Sequence, residues 1–442
     1  MSKKRDQKLQ ELALNIANHQ ANIVRLGEKW AAQITENLDA TELKLLREIK
    51  SFLKGHPDGM ITFRDFDDMA KLEKKIANIR RIAFQKSYDS TKEEAQELSL
   101  NEQKWAHRVT KEIAPETAGK MHLLPDNELQ KKTFRSYING STFEEWFRHT
   151  AESDLQRIIN MVRTGVMEGY TVSQMVKKIM GTKAGNYEDG ILHTTRKQAT
   201  AMARTLCGGI SNQAKDQFYR DNDDVVIGVE WLDTLDGRTC PHCAGLSRKR
   251  WKTNDPHPVP PLHPNCRCVL LPVTEITDMG EDIPRPAANA DFMALAKEEY
   301  EKKYPGKKWE DLAESTRKSK YYKAMKDFED RTGKPAYSQV PGNMKFKDYF
   351  LQMDEKQKSS WLGKRKYEMW KDGLVDLDKF VPPYPDRAFT VRELKERDID
   401  SFKDRIKVKT EDELHQEHLE KRKKQEKRAY ENRLNKWNLR AN

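Results

Sequence analysis

Four of the chain's five cysteines stand between positions 240 and 268, as Cys240 and Cys243, then Cys266 and Cys268. A Cys-x-x-Cys turn brings two sulfurs round one centre, and alternate residues of an extended strand, as in Cys-x-Cys, point to the same side. Both pairs can therefore face a single ion, and four thiolates would form a closed tetrahedral zinc site. The stretch between the pairs holds five prolines from Pro256 to Pro264, which forbid regular helix and force an extended path. Too few apolar residues lie there to hold a shape unaided, so a metal in this position is expected to be structural. His263, three residues before Cys266, is an alternative ligand, with His242 and His257 weaker candidates. Unligated thiols remain open, and a disulfide is disfavoured in reducing cytosol. Cys207, outside the cluster, reads as a small buried apolar residue.

Strands are expected on either side of this segment. Val225 to Leu232 has the branched and aromatic content of one, and Val269 to Val273 closes the module as another. Between the first strand and the ligands, Leu235-Asp236-Gly237-Arg238 reads as a turn in which Asp236 bonds its own backbone. The rival reading sets Asp233, Asp236 and Arg238 with the histidines as a metal-dependent nuclease centred on Asp236 and His263.

Elsewhere the periodicity is helical. Leu9, Leu12, Ile16, Ile23, Leu26 and Trp30 fall at steps of three and four, broken by His19, and the pattern resumes through Leu43, Leu46, Ile49 and Leu53. Gly55, Pro57 and Gly59 interrupt it before residues 65–113 return to helix-favouring composition. The first 115 residues are thus predicted to be helical hairpins whose partner is not visible in sequence. His19 is read as a tolerated boundary residue rather than a ligand or pH switch. Thr142 and Glu145 have the spacing of a capping box, and Gly165, Gly169 and Gly181 punctuate the chain beyond it. Residues 194–219 carry Ala199, Ala203, Leu206, Ile210, Ala214 and Phe218 at helical spacing, predicting a long buried helix despite Gly208 and Gly209.

Charged residues make up 34% of the chain and hydrophobic ones 36%, so much of it must be surface. The net charge of +11 is concentrated at the end: Lys421, Arg422, Lys423, Lys424, Lys427, Arg428, Arg433, Lys436 and Arg440 face two glutamates. A basic arm of this kind suits double-stranded DNA or another polyanion, with Tyr430 and Trp437 placed to stack on bases. No run of some eighteen apolar residues is present to span a bilayer, and Met-Ser-Lys-Lys-Arg-Asp leads into no signal core, so a soluble cytoplasmic product is expected.

The string Trp231-Leu-Asp-Thr-Leu-Asp236-Gly-Arg238-Thr-Cys240-Pro-His-Cys243, followed by Pro260-Pro-Leu-His263-Pro-Asn-Cys266-Arg267-Cys268, closely resembles the core of the phage head morphogenesis family, the Mu F-like minor head proteins. Upstream, Thr142-Phe-Glu-Glu-Trp146, Gly165-Val-Met-Glu-Gly169 and the helix through Arg196 and Arg204 are similar to the usual approach to that core. Downstream, Leu362-Gly363-Lys-Arg365-Lys-Tyr367 and Thr390-Val-Arg-Glu-Leu394 extend the resemblance to roughly residues 130–400. Leu206 stands after Thr205 where an acidic or small residue is usual, and many relatives lack the full set of four cysteines. The resemblance implies a virion protein of the head interior or portal vertex, assembled in the host cytoplasm, with portal or major capsid protein as partners and no catalytic residues.

Together these readings predict a mainly α protein with a small β-containing Cys/His-rich module and long helical arms. The expected segments are helical hairpins over 1–115, a helical lead-in over 116–190 and the minor-head core with its Cys/His module over 191–280. A C-terminal helical region over 285–400 and a charged, basic tail over 401–442 complete the chain. Homo-oligomers through the N-terminal helices are a further expectation. A cellular zinc-containing nucleic-acid-binding protein is the remaining alternative.

Overall fold

A computed structural model describes residues 3–55, 63–275, 283–312 and 314–381. The chain forms two compact units, Met1–Trp361 and Leu362–Asn442. The basic segment 421–442 and Thr390 to Leu394 lie outside the described residues.

Helices dominate the first unit: α1 (Lys3–Asp39), α2 (Glu42–Gly55), α3 (Phe63–Ile113), α4 (Asp126–Arg135), α5 (Phe143–Met167), α6 (Val172–Met180) and α7 (Ile191–Asp221). The apolar stripe of α1 finds its partner in α7. Ile23, Trp30, Ile34 and Leu38 share one core with Ala199, Met202, Leu206 and Ile210, closed by Ala83 and Phe84 of α3 and by Phe143 and Phe147 of α5. Gly27 allows this close approach, since a Cβ there would meet the Arg204 backbone at 3.2 Å. Gly209 serves similarly within α7: a Cβ would meet Ile138 at 2.4 Å, so this glycine, which weakens the helical pattern in sequence, admits a neighbouring side chain. Thr142 caps α5, accepting from the Glu145 N–H while Glu145 accepts from the Thr142 N–H, as the capping-box spacing predicts.

His19 is more than a boundary residue. Its ring stacks on Trp105 with centroids 4.1 Å apart, and its Nε2 lies 2.9 Å from the buried Glu102, which also accepts from Ser211 at 2.6 Å and pairs with Lys215 at 3.4 Å. A polar knot therefore joins α1, α3 and α7 inside the helical body.

After α7 the chain builds a three-stranded antiparallel sheet, with β1 (Gly228–Leu232) between β2 (Arg250–Lys252) and β3 (Val269–Val273). Registers such as Val229↔Trp251 with β2 and Trp231↔Leu270 with β3 align apolar side chains across the sheet. Both expected strands are present, although the first starts at Gly228 because the Val225 and Val226 N–H groups turn back to the Asn222 carbonyl. A second pair, β4 (Arg285–Ala288) with β5 (Tyr337–Val340), lies in a region read as helical. Pro286, which donates no ladder hydrogen bond, is accommodated in this two-stranded sheet, and the Ala288 N–H donates instead to the Leu235 carbonyl at 2.8 Å. Helices Phe292–Lys303 and Glu314–Thr332 lie between these strands in sequence.

In the second unit the described residues form helices Lys364–Lys371 and Leu377–Phe380, with the Lys366 ammonium 5.6 Å from the Phe380 ring centre. Among the described residues no helix is long and apolar enough to cross a membrane. The whole is mainly α with a small β module, as composition and periodicity predict.

Candidate metal centre

The two cysteine pairs meet. Cys240 is the N-cap of the short helix α8 (Pro241–Gly245), with Pro241 at the first helical position, where its missing N–H costs no hydrogen bond. The turn folds Cys243 back so that its N–H donates to the Cys240 Sγ at 3.4 Å. On the other side, Asn265 takes a left-handed conformation (φ 60°) and the Cys266 N–H donates to the His263 carbonyl at 3.2 Å, a tight turn that feeds Cys266 and Cys268 into β3. The Cys243 and Cys266 sulfurs are 3.8 Å apart. Tetrahedral zinc–sulfur bonds of about 2.3 Å put two ligand sulfurs about 3.8 Å from each other.

His263 belongs to the cluster. Its Nε2 lies 3.3 Å from the Cys240 Sγ and 3.2 Å from the Cys243 Sγ, while its Nδ1 donates to the Pro264 carbonyl at 2.9 Å. Because a carbonyl only accepts, that bond fixes Nδ1 as the protonated nitrogen and leaves Nε2 to face the thiols. Two overlapping donor groups result, Cys240–Cys243–His263 and Cys243–Cys266–Cys268, each with its ligand atoms within 4.8 Å of one another. Such a set of soft donors can hold a metal ion.

Hydrogen bonding and burial within the cluster divide its thiols, lowering two and raising two. Hydrogen bonding from the Cys243 thiol, then from His263, outweighs burial and brings the Cys240 thiol down to about 4. Cys243 and Cys268 likewise hold Cys266 well below the usual thiol range. His263 is lifted to about 11 by its bonds to Cys240 and Cys266. Cys243 is pushed up by Cys240, and Cys268 by burial.

The other candidate ligands stand apart. His257 donates from Nδ1 to the Asp255 carbonyl (2.8 Å) and meets the Asp216 carboxylate through Nε2 (2.8 Å), tying the proline-rich loop to α7, and His242 joins neither donor group. Cys207 is buried in α7, donates to the Ile23 carbonyl at 3.3 Å, and burial raises its thiol far above the usual range.

Asp236 is occupied. Its carboxylate receives both ends of the Arg267 guanidinium at 2.7 Å, Arg238 at 3.1 Å, and the Arg238 N–H at 2.9 Å, the last being the self-closing turn expected from sequence. Burial would raise this carboxyl, yet the Arg267 bonds prevail and hold it at about 2. Asp233, also buried, accepts from Ser247 at 2.6 Å and from Arg285 at 3.1 Å. The two acidic residues of the motif therefore serve as anchors for arginines, Arg267 from the loop before β3 and Arg285 from β4. Arg267 stands between Cys266 and Cys268, so the Asp236 bond orients the loop that carries them.

Two further residues escaped the reading of the sequence. Thr205 accepts from the Asn265 N–H at 3.1 Å, and Asn212 bonds the Cys268 carbonyl (3.2 Å) and the Leu270 N–H (3.2 Å), so α7 holds the cysteine strand from behind. Their only sequence signal is a polar residue on the buried face of a helix, as in Asn212 beside Ile210 and Ala214.

No curated protein and no solved structure matches the chain. Residues 156–271, which run from α5 through α7 to β3 and include every cysteine, match the family model described as Phage Mu protein F like protein, so this segment is similar to the Mu F-like phage head morphogenesis proteins.

Proposed function

We propose that the protein is a bacteriophage minor head protein that acts in head morphogenesis by binding, at the portal vertex or in the head interior, and catalyses no reaction. The observation that carries this reading is the match of residues 156–271, whose cysteine module and long helix form one built unit. Structural zinc is the ion best suited to the cluster, bound by four of Cys240, Cys243, Cys266, Cys268 and His263. In that role it staples the proline-rich loop to the sheet. The nuclease alternative loses support because Asp236 is neutralised by two arginines and His263 faces thiols.

The helical body would contact portal or major capsid protein, and the segment 421–442 would bind packaged double-stranded DNA through its phosphates. Self-association through the N-terminal helices has less support, since the α1 stripe is buried against α7. Purified virions and a strain with the gene interrupted test the assignment. The protein should fractionate with heads, reconstruction should place it at the portal vertex or inside the head, and its loss should yield defective heads. Normal, infectious heads lacking the protein would overturn it.

A further inference from the structure

Beside the cysteine cluster the first unit carries a cleft of about 610 Å³, bounded by α1 near Gly27, by α7 at Arg204, by the loop His263–Arg267 and by helix Glu314–Thr332. Its charge is one-sided: Arg25, Arg204, Arg317 and Lys318 line it, with Arg238 and Arg267 at the cysteine end, against the single carboxylate of Glu28. Glu28 is shared between Arg204 at 3.1 Å and Lys318 at 3.6 Å, so the balance stays positive. Aromatic surface adjoins the cations. The Arg238 guanidinium lies 4.9 Å from the Tyr321 ring centre while held by Asp236, and the neighbouring Tyr322 is 57% exposed. Cations converging on a concave site of ligand size, with an aromatic face at the rim, are the chemistry that recognises a phosphate carrying a base.

We propose that this cleft binds a nucleoside 5′-phosphate, either a free nucleotide or the terminal nucleotide of a strand, with Arg204, Arg317 and Lys318 on the phosphate and Tyr322 against the base. None of the cleft's cations comes from the segment 421–442. The cleft's volume falls in the range of small-molecule sites, about 300–1,000 Å³.

The test uses the full chain and fluorescence anisotropy of a 5′-phosphorylated pentadeoxyadenylate labelled at its 3′ end. Competitors are dAMP, deoxyadenosine and the same pentamer without its phosphate. The double variant Arg317→Glu/Lys318→Glu should weaken binding by about tenfold or more, and Tyr322→Ala by about threefold or more. Replacing Lys421, Arg422, Lys423 and Lys424 with Gln should change the affinity by less than about twofold at moderate salt. Should the double variant fail to fold by circular dichroism, Lys318→Gln and Tyr322→Ala, both at exposed positions, carry the test. Deoxyadenosine competing as well as dAMP, cleft variants binding like the parent, or no binding of the pentamer at about millimolar protein would overturn the proposal. If dAMP competes as strongly as the pentamer, the ligand is a free nucleotide; a pentamer stronger by about tenfold identifies a strand end.

Discussion

Replacing Arg80 with methionine breaks a buried ion pair that joins α3 to α5. Arg80 in α3 is 2% exposed and Asp154 in α5 is 0% exposed, and the guanidinium Nε donates to the carboxylate at 2.6 Å. Arg80 also donates to the Thr41 hydroxyl at 3.1 Å, and Asp154 accepts from Thr195 of α7 at 2.6 Å, so four segments converge here. Methionine matches the aliphatic stem but leaves Asp154 ionised, buried and without its cation, a loss of about 3–5 kcal/mol. Asp154→Leu should cost a similar amount by stranding Arg80. The double variant removes both charges together, and its remaining cost is about 1–2 kcal/mol, from the Thr41 and Thr195 hydroxyls that lose partners. Urea unfolding of the four proteins, followed by circular dichroism, therefore should give a coupling energy of about 3 kcal/mol or more. Additive single-variant costs would refute the reasoning, since they would mean that neither charge depends on the other.

Metal analysis of protein purified under reducing conditions should find about one zinc per chain, lost in Cys240→Ser/Cys243→Ser and released on acidification as the ligands take up protons; no zinc at all would sink the assignment. Asp236→Asn should lower stability at neutral pH by about 2 kcal/mol. Because the folded carboxyl is depressed to about 2 from 3.8, that contribution is complete above about 4 and fades as pH falls towards about 2, where parent and variant should converge; a pH-independent difference would contradict this account. If the segment 421–442 contacts about five phosphates, the logarithm of DNA affinity should fall with the logarithm of salt at a slope of about −4 to −5, and charge-neutralising substitutions there should flatten it. Equal slopes would assign those cations to solubility or an acidic protein partner. DNA should remain uncut with magnesium, manganese or zinc, and cleavage that His263→Ala abolishes in a folded protein would reverse the non-enzymatic reading.

What sequence alone determined is what depends on neighbours along the chain. The α7 helix, the Thr142–Glu145 cap, the strands flanking the cysteines and the Asp236 turn all rest on local spacing, and each is present. The cysteine pairs were legible for the same reason, because a Cys-x-x-Cys turn and a Cys-x-Cys strand each align two sulfurs without reference to the rest of the fold. Tertiary structure decided which distant groups meet. The partner of the α1 stripe is α7, far along the sequence, and no periodicity names it. His19 gains a carboxylate from α3 that a lysine from α7 also pairs, Asp236 gains Arg267 across the proline-rich loop, and the cationic cleft gathers α1, α7 and helix Glu314–Thr332. Side-chain chemistry can be read from single positions, whereas pairing depends on packing that buries apolar area from remote segments, and that packing is specified only by the folded whole.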